Sequence, residues 1–297
     1  MSKLSLTTKL SFSFGLLFGI AIVLFATLFR GTESSYIARI AGEPAEEETI
    51  EQVVASPIIQ EVTLSAAGAY TIGGQELYSF RADKRWPIAS ITKLMTALVA
   101  DRLYLSEKPY EIIEITEEAV ATEGDSGNLA AHELVRADDL IKAMMLVSSN
   151  DAAAALAEHY GEEAFVAEMN KTAVELGMTG TTFVDPTGLS VQNLSTVEDV
   201  RRLAKFIWDN YTYIFNISQR PRDTIIDRSD GSTWSLENIN SFAGRSDFLG
   251  GKTGSIPEAE GNLVSIFSVP ERNDEIIIIV LGTENRFLET EKILSDL

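Results

Sequence analysis

The sequence predicts an α+β domain: one sheet that draws strands from both ends of the folded region, with helices packed on it and a helical block between. Three observations carry this expectation. Strand-like segments lie early, at IIQEVTL and ELYSFRAD, and late, at NLVSIFSV and EIIIIVLG. Between them, apolar residues recur at helical spacing. The run Ile276–Leu281 is apolar without interruption, which suits a central strand buried on both faces.

Residues 10–30 form the first element. Leu10 to Phe29 contains no charged residue, and its length suits a helix crossing a bilayer core of roughly 30 Å. Lys3 and Lys9 precede it, and after Arg30 the chain turns acidic. That asymmetry favours residues 1–9 in the cytoplasm and the domain outside, at the cell membrane, held by a single span. A cleaved signal peptide is the rival reading. It ordinarily has a shorter apolar region and a small-residue cleavage site, and no convincing site occurs near Ala26 or Gly31. Residues 31–55, with GEPAEEETIEQ at their centre, read as an acidic tether, with a charged helical turn as the alternative. The folded domain is expected over residues 56–297.

In that domain the early strands are separated by TIGGQ, a turn with two glycines. Ile91, Leu94, Met95, Leu98 and Val99 then follow the i, i+3, i+4, i+7, i+8 rule, so a helix begins near Ser90. Leu140, Ile141, Met144 and Met145 mark another. NDAAAALAEHYG is a short helix stopped at Gly161, and EEAFVAEMNKTAVELG one ending at Gly177. Ser195 to Glu198 reads as a capping box for a helix carrying Val200, Leu203, Ala204, Ile207 and Trp208. A last helix is expected from about Phe287.

Composition narrows the function. The 297 residues are 45% hydrophobic and 23% charged, as in ordinary globular proteins. A formal net charge of -20 repels phosphate backbones, so nucleic-acid binding is disfavoured. There is no cysteine, hence no disulfide framework and no thiol nucleophile. His132 and His159 are the only histidines, far apart and without ligand spacing, so neither a metal nor another cofactor is expected.

The chemistry-bearing stretch is PIASITKLMTALVA. A serine hydroxyl is a weak nucleophile until a base takes its proton. Lys93 lies three residues after Ser90, on the same helix face, and a lysine serves as base when burial or a nearby cation disfavours its charge. The positive end of the helix favours negative charge developing at Ser90. Alone, this spacing is equally that of a helix-capping serine with a solvated lysine. Two further stretches change the weight. LVSSNDAAAALAE carries Ser148, Ser149 and Asn150, and LGGKTGS carries Lys252, Thr253 and Gly254. Singly, the first reads as a helix cap and the second as a turn. In order, S-x-x-K, S-x-N and K-T-G form the signature of penicillin-binding proteins and serine β-lactamases.

With FVDPTGLS, LSTVEDVRRLAKFI and GGKTGSIPEAEGNLV added, the chain from about Glu61 onward resembles the D-alanyl-D-alanine carboxypeptidases of the peptidase S11 type, the low-molecular-weight penicillin-binding proteins. The resemblance implies a β-lactamase/transpeptidase-like fold, an antiparallel sheet flanked by helices plus an all-helical region, with the site between them. It implies that Ser90 forms an acyl-enzyme, Lys93 is its base and Ser148 relays a proton to the leaving amine. Asn150 would bond near Lys93 or the substrate amide. Lys252 would add positive charge and, with Thr253 and Arg286, hold the terminal carboxylate. Gly254 would line the substrate edge, and the N–H groups of Ser90 and Ser255 would form the oxyanion hole. Arg286 reads equally as a solvated helix-start residue. Two positions depart from the family pattern: Ser149, where glycine is frequent, and Ser255, where a larger residue is common. FVDPTGLS stands where a class A β-lactamase keeps its deacylating glutamate, which argues against a dedicated β-lactamase. The resemblance thus implies an anchored serine DD-carboxypeptidase acting on peptidoglycan stem peptides ending in D-Ala-D-Ala and inhibited by β-lactams. A DD-endopeptidase cutting crosslinks and a catalytically silent wall-binding protein are the alternatives.

Overall fold

The computed structural model describes residues 64–297, apart from residues 107, 109, 125, 126 and 271. The expected membrane span, the tether and all of IIQEVTL but Leu64 lie outside them. Among the described residues no helix is long and apolar enough to cross a membrane.

One antiparallel sheet organises the domain. Its strands are β1 (Ala66–Thr71), β2 (Glu76–Phe80), β3 (Phe248–Ile256), β4 (Glu260–Val269) and β5 (Asp274–Thr283), in the spatial order β2-β1-β5-β4-β3. The early and late strands therefore pair, with Ala66 opposite Leu281 and Thr71 opposite Ile276. The apolar run lies in β5, the central strand. Successive side chains of a strand point to opposite faces. Ile277, Ile279 and Leu281 accordingly join the core beneath the helical block, while Ile276, Ile278 and Val280 join Phe242, Phe248 and Phe267 on the other face.

β1 was not legible as a strand. Its sequence, AAGAYT, is poor in the branched and aromatic residues that mark strands. The glycine leaves room for its neighbours, since a Cβ on Gly68 would lie 2.6 Å from the Tyr70 ring and 2.8 Å from Val197. The K-T-G stretch also differs from the turn reading: it lies inside β3, at the edge of the sheet.

The helices follow the periodicity closely. They are α1 (Thr92–Ala100), α2 (Ala137–Leu146), α3 (Asn150–Tyr160), α4 (Glu162–Glu175), α5 (Val197–Asn210), α6 (Tyr213–Gln219) and α7 (Arg286–Ser295). A 3₁₀ turn, Ala89–Ile91, leads into α1. The cap of α5 falls one residue later than expected. Thr196, not Ser195, accepts from the backbone N–H of Asp199 at 3.1 Å. Ser195 is held instead in a two-residue ladder opposite Trp86, with its hydroxyl 2.8 Å from that of Thr181.

Candidate active site

The site is built where α1, the α2–α3 turn and the edge strand β3 converge. Ser90 sits in the 3₁₀ turn, half-buried, and Lys93 in the first turn of α1, fully buried. Lys93 Nζ lies 3.1 Å from Ser90 Oγ. It also donates to Asn150 Oδ1 at 2.6 Å and to the Thr187 carbonyl at 2.7 Å. Both of these partners only accept. A neutral amine that donates its two N–H groups to them keeps its lone pair for the Ser90 hydroxyl, the one partner of the three able to donate.

Asn150 is itself fixed. Its Nδ2 donates to the Glu123 carbonyl at 2.7 Å, so the amide oxygen must face the lysine. It opens α3, and Ser149 caps that helix by accepting from Ala152 N–H at 3.0 Å. The Ser149 hydroxyl therefore does not face water: the residue is fully buried. Ser148 adopts φ 61°, a left-handed conformation uncommon outside glycine, asparagine and aspartate. This tight turn aims its side chain at β3, where Lys252 Nζ donates to Ser148 Oγ at 2.9 Å. Lys252 is buried and also donates to the Thr253 carbonyl at 2.8 Å. Ser218 Oγ accepts from Gly251 N–H at 2.9 Å and pins the start of the K-T-G segment to α6.

The three motifs thus meet. Gly254 presses onto the Ser90 turn: a Cβ there would lie 2.7 Å from the Ile88 carbonyl oxygen and 3.1 Å from Ser90 N. Thr253 is buried, and Ser255, opposite Gly261 in the neighbouring strand, is exposed. Arg286 opens α7 and is half-buried rather than fully solvated; its Nη1 donates to the Gly254 carbonyl at 3.1 Å. Among the described residues it has no carboxylate partner, its Nε has no acceptor, and burial pushes its guanidinium below its ordinary value. A net-negative protein has therefore gathered Lys93, Lys252 and Arg286 around one cleft. The arrangement can activate a hydroxyl and hold an anion.

The two histidines stand apart from it. His132 pairs with Glu114 and His159 with Glu111, across a groove on the helical block. Among the described residues no three histidine, aspartate or glutamate side chains are grouped to hold a metal.

Sequence reasoning missed two contributors, the Thr187 and Glu123 carbonyls. A backbone carbonyl leaves no mark on residue identity. Asp151 follows Asn150, is fully buried, and neither carboxylate oxygen has a partner. Burial pushes its carboxyl up from 3.8 to about 6. A folded-state value above the unfolded one means that the native state holds the proton more tightly. The associated stability is present below about pH 3.8 and is lost as pH rises through about 6. Asp151→Asn removes this titration. In thermal melts between pH 4 and 8, the melting temperature of the variant relative to wild type is expected to rise with pH up to about 6 and to level off above it. A difference independent of pH would mean that Asp151 is paired in solution.

The family model of peptidase S11, D-alanyl-D-alanine carboxypeptidase, matches residues 65–285. The chain belongs to this family. Among the S11 relatives, a D-alanyl-D-alanine endopeptidase of Pseudomonas aeruginosa is 38% identical over 172 residues, 56% of this chain and 54% of that one. A D-alanyl-D-alanine carboxypeptidase of Streptomyces sp. strain K15 is 30% identical over 247 residues, 76% of this chain and 83% of that one. The crystal structure of the Streptomyces K15 DD-transpeptidase superposes with a TM-score of 0.68 at 27% identity, covering 75% of this chain and 91% of that one. The chain spans about half the length of the endopeptidases from P. aeruginosa and Escherichia coli that it matches. The fold is therefore the transpeptidase-like α+β fold of the S11 enzymes.

Proposed function

We propose that the protein is a serine DD-peptidase that cleaves after the penultimate D-alanine of peptidoglycan stem peptides. The observation that carries this reading is Lys93 Nζ at 3.1 Å from Ser90 Oγ, with two further bonds to groups that only accept, Asn150 Oδ1 and the Thr187 carbonyl. Ser90 Oγ attacks the carbonyl carbon while Lys93 takes its proton. The carbonyl oxygen becomes an oxyanion held by the N–H groups of Ser90 and Ser255. The C–N bond then breaks, and the leaving amine receives a proton through Ser148. Water attacks the resulting ester, its proton returns to Lys93, and the acid is released with Ser90 restored. Asn150 orients Lys93. Lys252, Thr253 and Arg286 hold the carboxylate of the terminal residue, and the half-buried Arg286, without a counterion among the described residues, supports that assignment. β-Lactams acylate the same hydroxyl. The uncharged stretch Leu10–Phe29 supports an anchor in the cell membrane with the domain outside.

Two substrates fit this chemistry. Release of free D-alanine makes the protein a carboxypeptidase, the activity named for the Streptomyces relative. Cleavage of a crosslink makes it an endopeptidase, and the relatives from P. aeruginosa and E. coli, at 38% and 34% identity, favour that reading. The test is to incubate the protein with a fluorescent penicillin and map the labelled peptide, with Ser90→Ala as control. A label on Ser90 is expected, and a folded, unlabelled wild type would sink the proposal. Assays on a D-Ala-D-Ala pentapeptide and on a crosslinked dimer then assign the substrate. Arg286→Leu is expected to lower turnover of the free-carboxylate peptide about tenfold to a hundredfold, the loss of one charge-assisted contact. An unchanged rate would remove Arg286 from the carboxylate site.

A further inference from the structure

Behind Lys93 lies the loop Val184–Asn193, which crosses one face of α1. Three consecutive carbonyls of this loop are tied down. The Asp185 carbonyl accepts from Asn193 Nδ2 at 3.0 Å, the Pro186 carbonyl from Thr96 Oγ1 at 2.6 Å, and the Thr187 carbonyl from Lys93 Nζ at 2.7 Å. Asn193, fully buried, also donates to Thr92 Oγ1 at 3.2 Å. Thr92, Lys93 and Thr96 thus present one helix face to the loop.

Within the loop, one carboxylate gathers the residues that follow it. Asp185 Oδ1 accepts from Thr187 N–H at 2.7 Å, Thr187 Oγ1 at 2.7 Å and Gly188 N–H at 2.6 Å, while Oδ2 accepts from Ser190 N–H at 2.9 Å. Four donors from the five residues that follow it are gathered on one side chain. The N–H groups of Thr187 and Gly188, on either side of the Thr187 carbonyl, both end on Asp185 Oδ1, which fixes the direction in which that carbonyl points. The Thr187 carbonyl held in this way is one of the groups to which the lysine nitrogen donates.

We infer that Asp185 is the positioning residue for the Ser90–Lys93 pair: it locks the loop that delivers the Thr187 carbonyl to Lys93 and so keeps the lysine lone pair on Ser90 Oγ. The inference rests on the reading of these two residues as nucleophile and base. Its physical content is that a general base displaced by a fraction of an ångström loses much of its rate, and that supporting bonds prevent the displacement.

The experiment uses full-length protein purified in detergent. The rate of acylation by a fluorescent penicillin, per labelled site, is followed from pH 5 to 10 for wild type, Asp185→Asn and Asp185→Glu, with melting curves for each. Asp185→Asn is expected to acylate about tenfold to a hundredfold more slowly. The acidic limb of its pH profile moves to lower pH, because an ammonium that loses a carbonyl acceptor is less stable. Asp185→Glu, which keeps the charge and both acceptors, restores the limb and part of the rate. A merely structural role would lower the labelled fraction and the melting temperature without moving the limb. Asp185→Ser, with one acceptor, replaces Asp185→Asn if the latter shows no cooperative melt. Wild-type rate and limb in the Asn or Ser variant overturn the inference, as does a Glu variant no better than Asn. A wild type that is never labelled on Ser90 overturns the parent reading, and this one with it.

Discussion

Lys93→Met is expected to slow acylation of Ser90 by about a thousandfold or more while leaving a folded protein. Methionine is close to lysine in length and enters a site with no solvent exposure. The variant removes a buried amine and its desolvation cost, which is often favourable, but it strands two acceptors that Lys93 now satisfies, Asn150 Oδ1 and the Thr187 carbonyl. Each unpaired acceptor costs about 1–3 kcal/mol. The two effects oppose each other, so the melting temperature is expected to change far less than the rate. The paired measurement is the rate constant for penicillin labelling and a thermal melt on the same sample. Labelling near the wild-type rate would show that another group takes the Ser90 proton, and Ser148 with Lys252 would be the pair to test next.

Gly188→Ala is expected to destabilise the protein by about 3 kcal/mol or more and to lose penicillin labelling with it. Gly188 has φ 86°, and a Cβ there would lie 2.1 Å from the Ala89 carbonyl oxygen and 2.9 Å from Ser90 N. The left-handed conformation alone costs an alanine about 1–2 kcal/mol. The clash adds more, because both contacted atoms are backbone and cannot rotate away. Ala89 is itself held at φ 47°, so the Ser90 turn has little room to retreat. Melting and labelled fraction read the two effects. A stable variant that labels normally would mean that the loop stands farther from Ser90 in solution.

How much of this was legible in the sequence differs by element. Helix α1 showed its period, α3 and α4 their glycine stops, and the apolar run of β5 marked the centre of the sheet. β1 was missed because a strand crossed closely by α5 is selected for small side chains, which carry no strand signal. The cap of α5 shifted by one residue because two adjacent hydroxyls, Ser195 and Thr196, compete, and only backbone pairing with Trp86 decides between them. Ser149 departs from the family pattern by using its hydroxyl to close the first turn of α3.

By itself, the sequence singled out the candidate site residues, because hydroxyls, amines and the spacing S-x-x-K are written in side-chain identity. It also showed the longer periodic helices and the late strands in their order, because periodicity is local. Only the tertiary structure decided how those residues meet. Ser148 reaches Lys252 across 104 positions, and Lys93 reaches the Thr187 carbonyl across 94. A carbonyl belongs to every residue alike, so its selection as a partner is a property of chain path. The same holds for Asp185, an ordinary loop aspartate by sequence, whose importance comes from the four donors that the fold wraps around it.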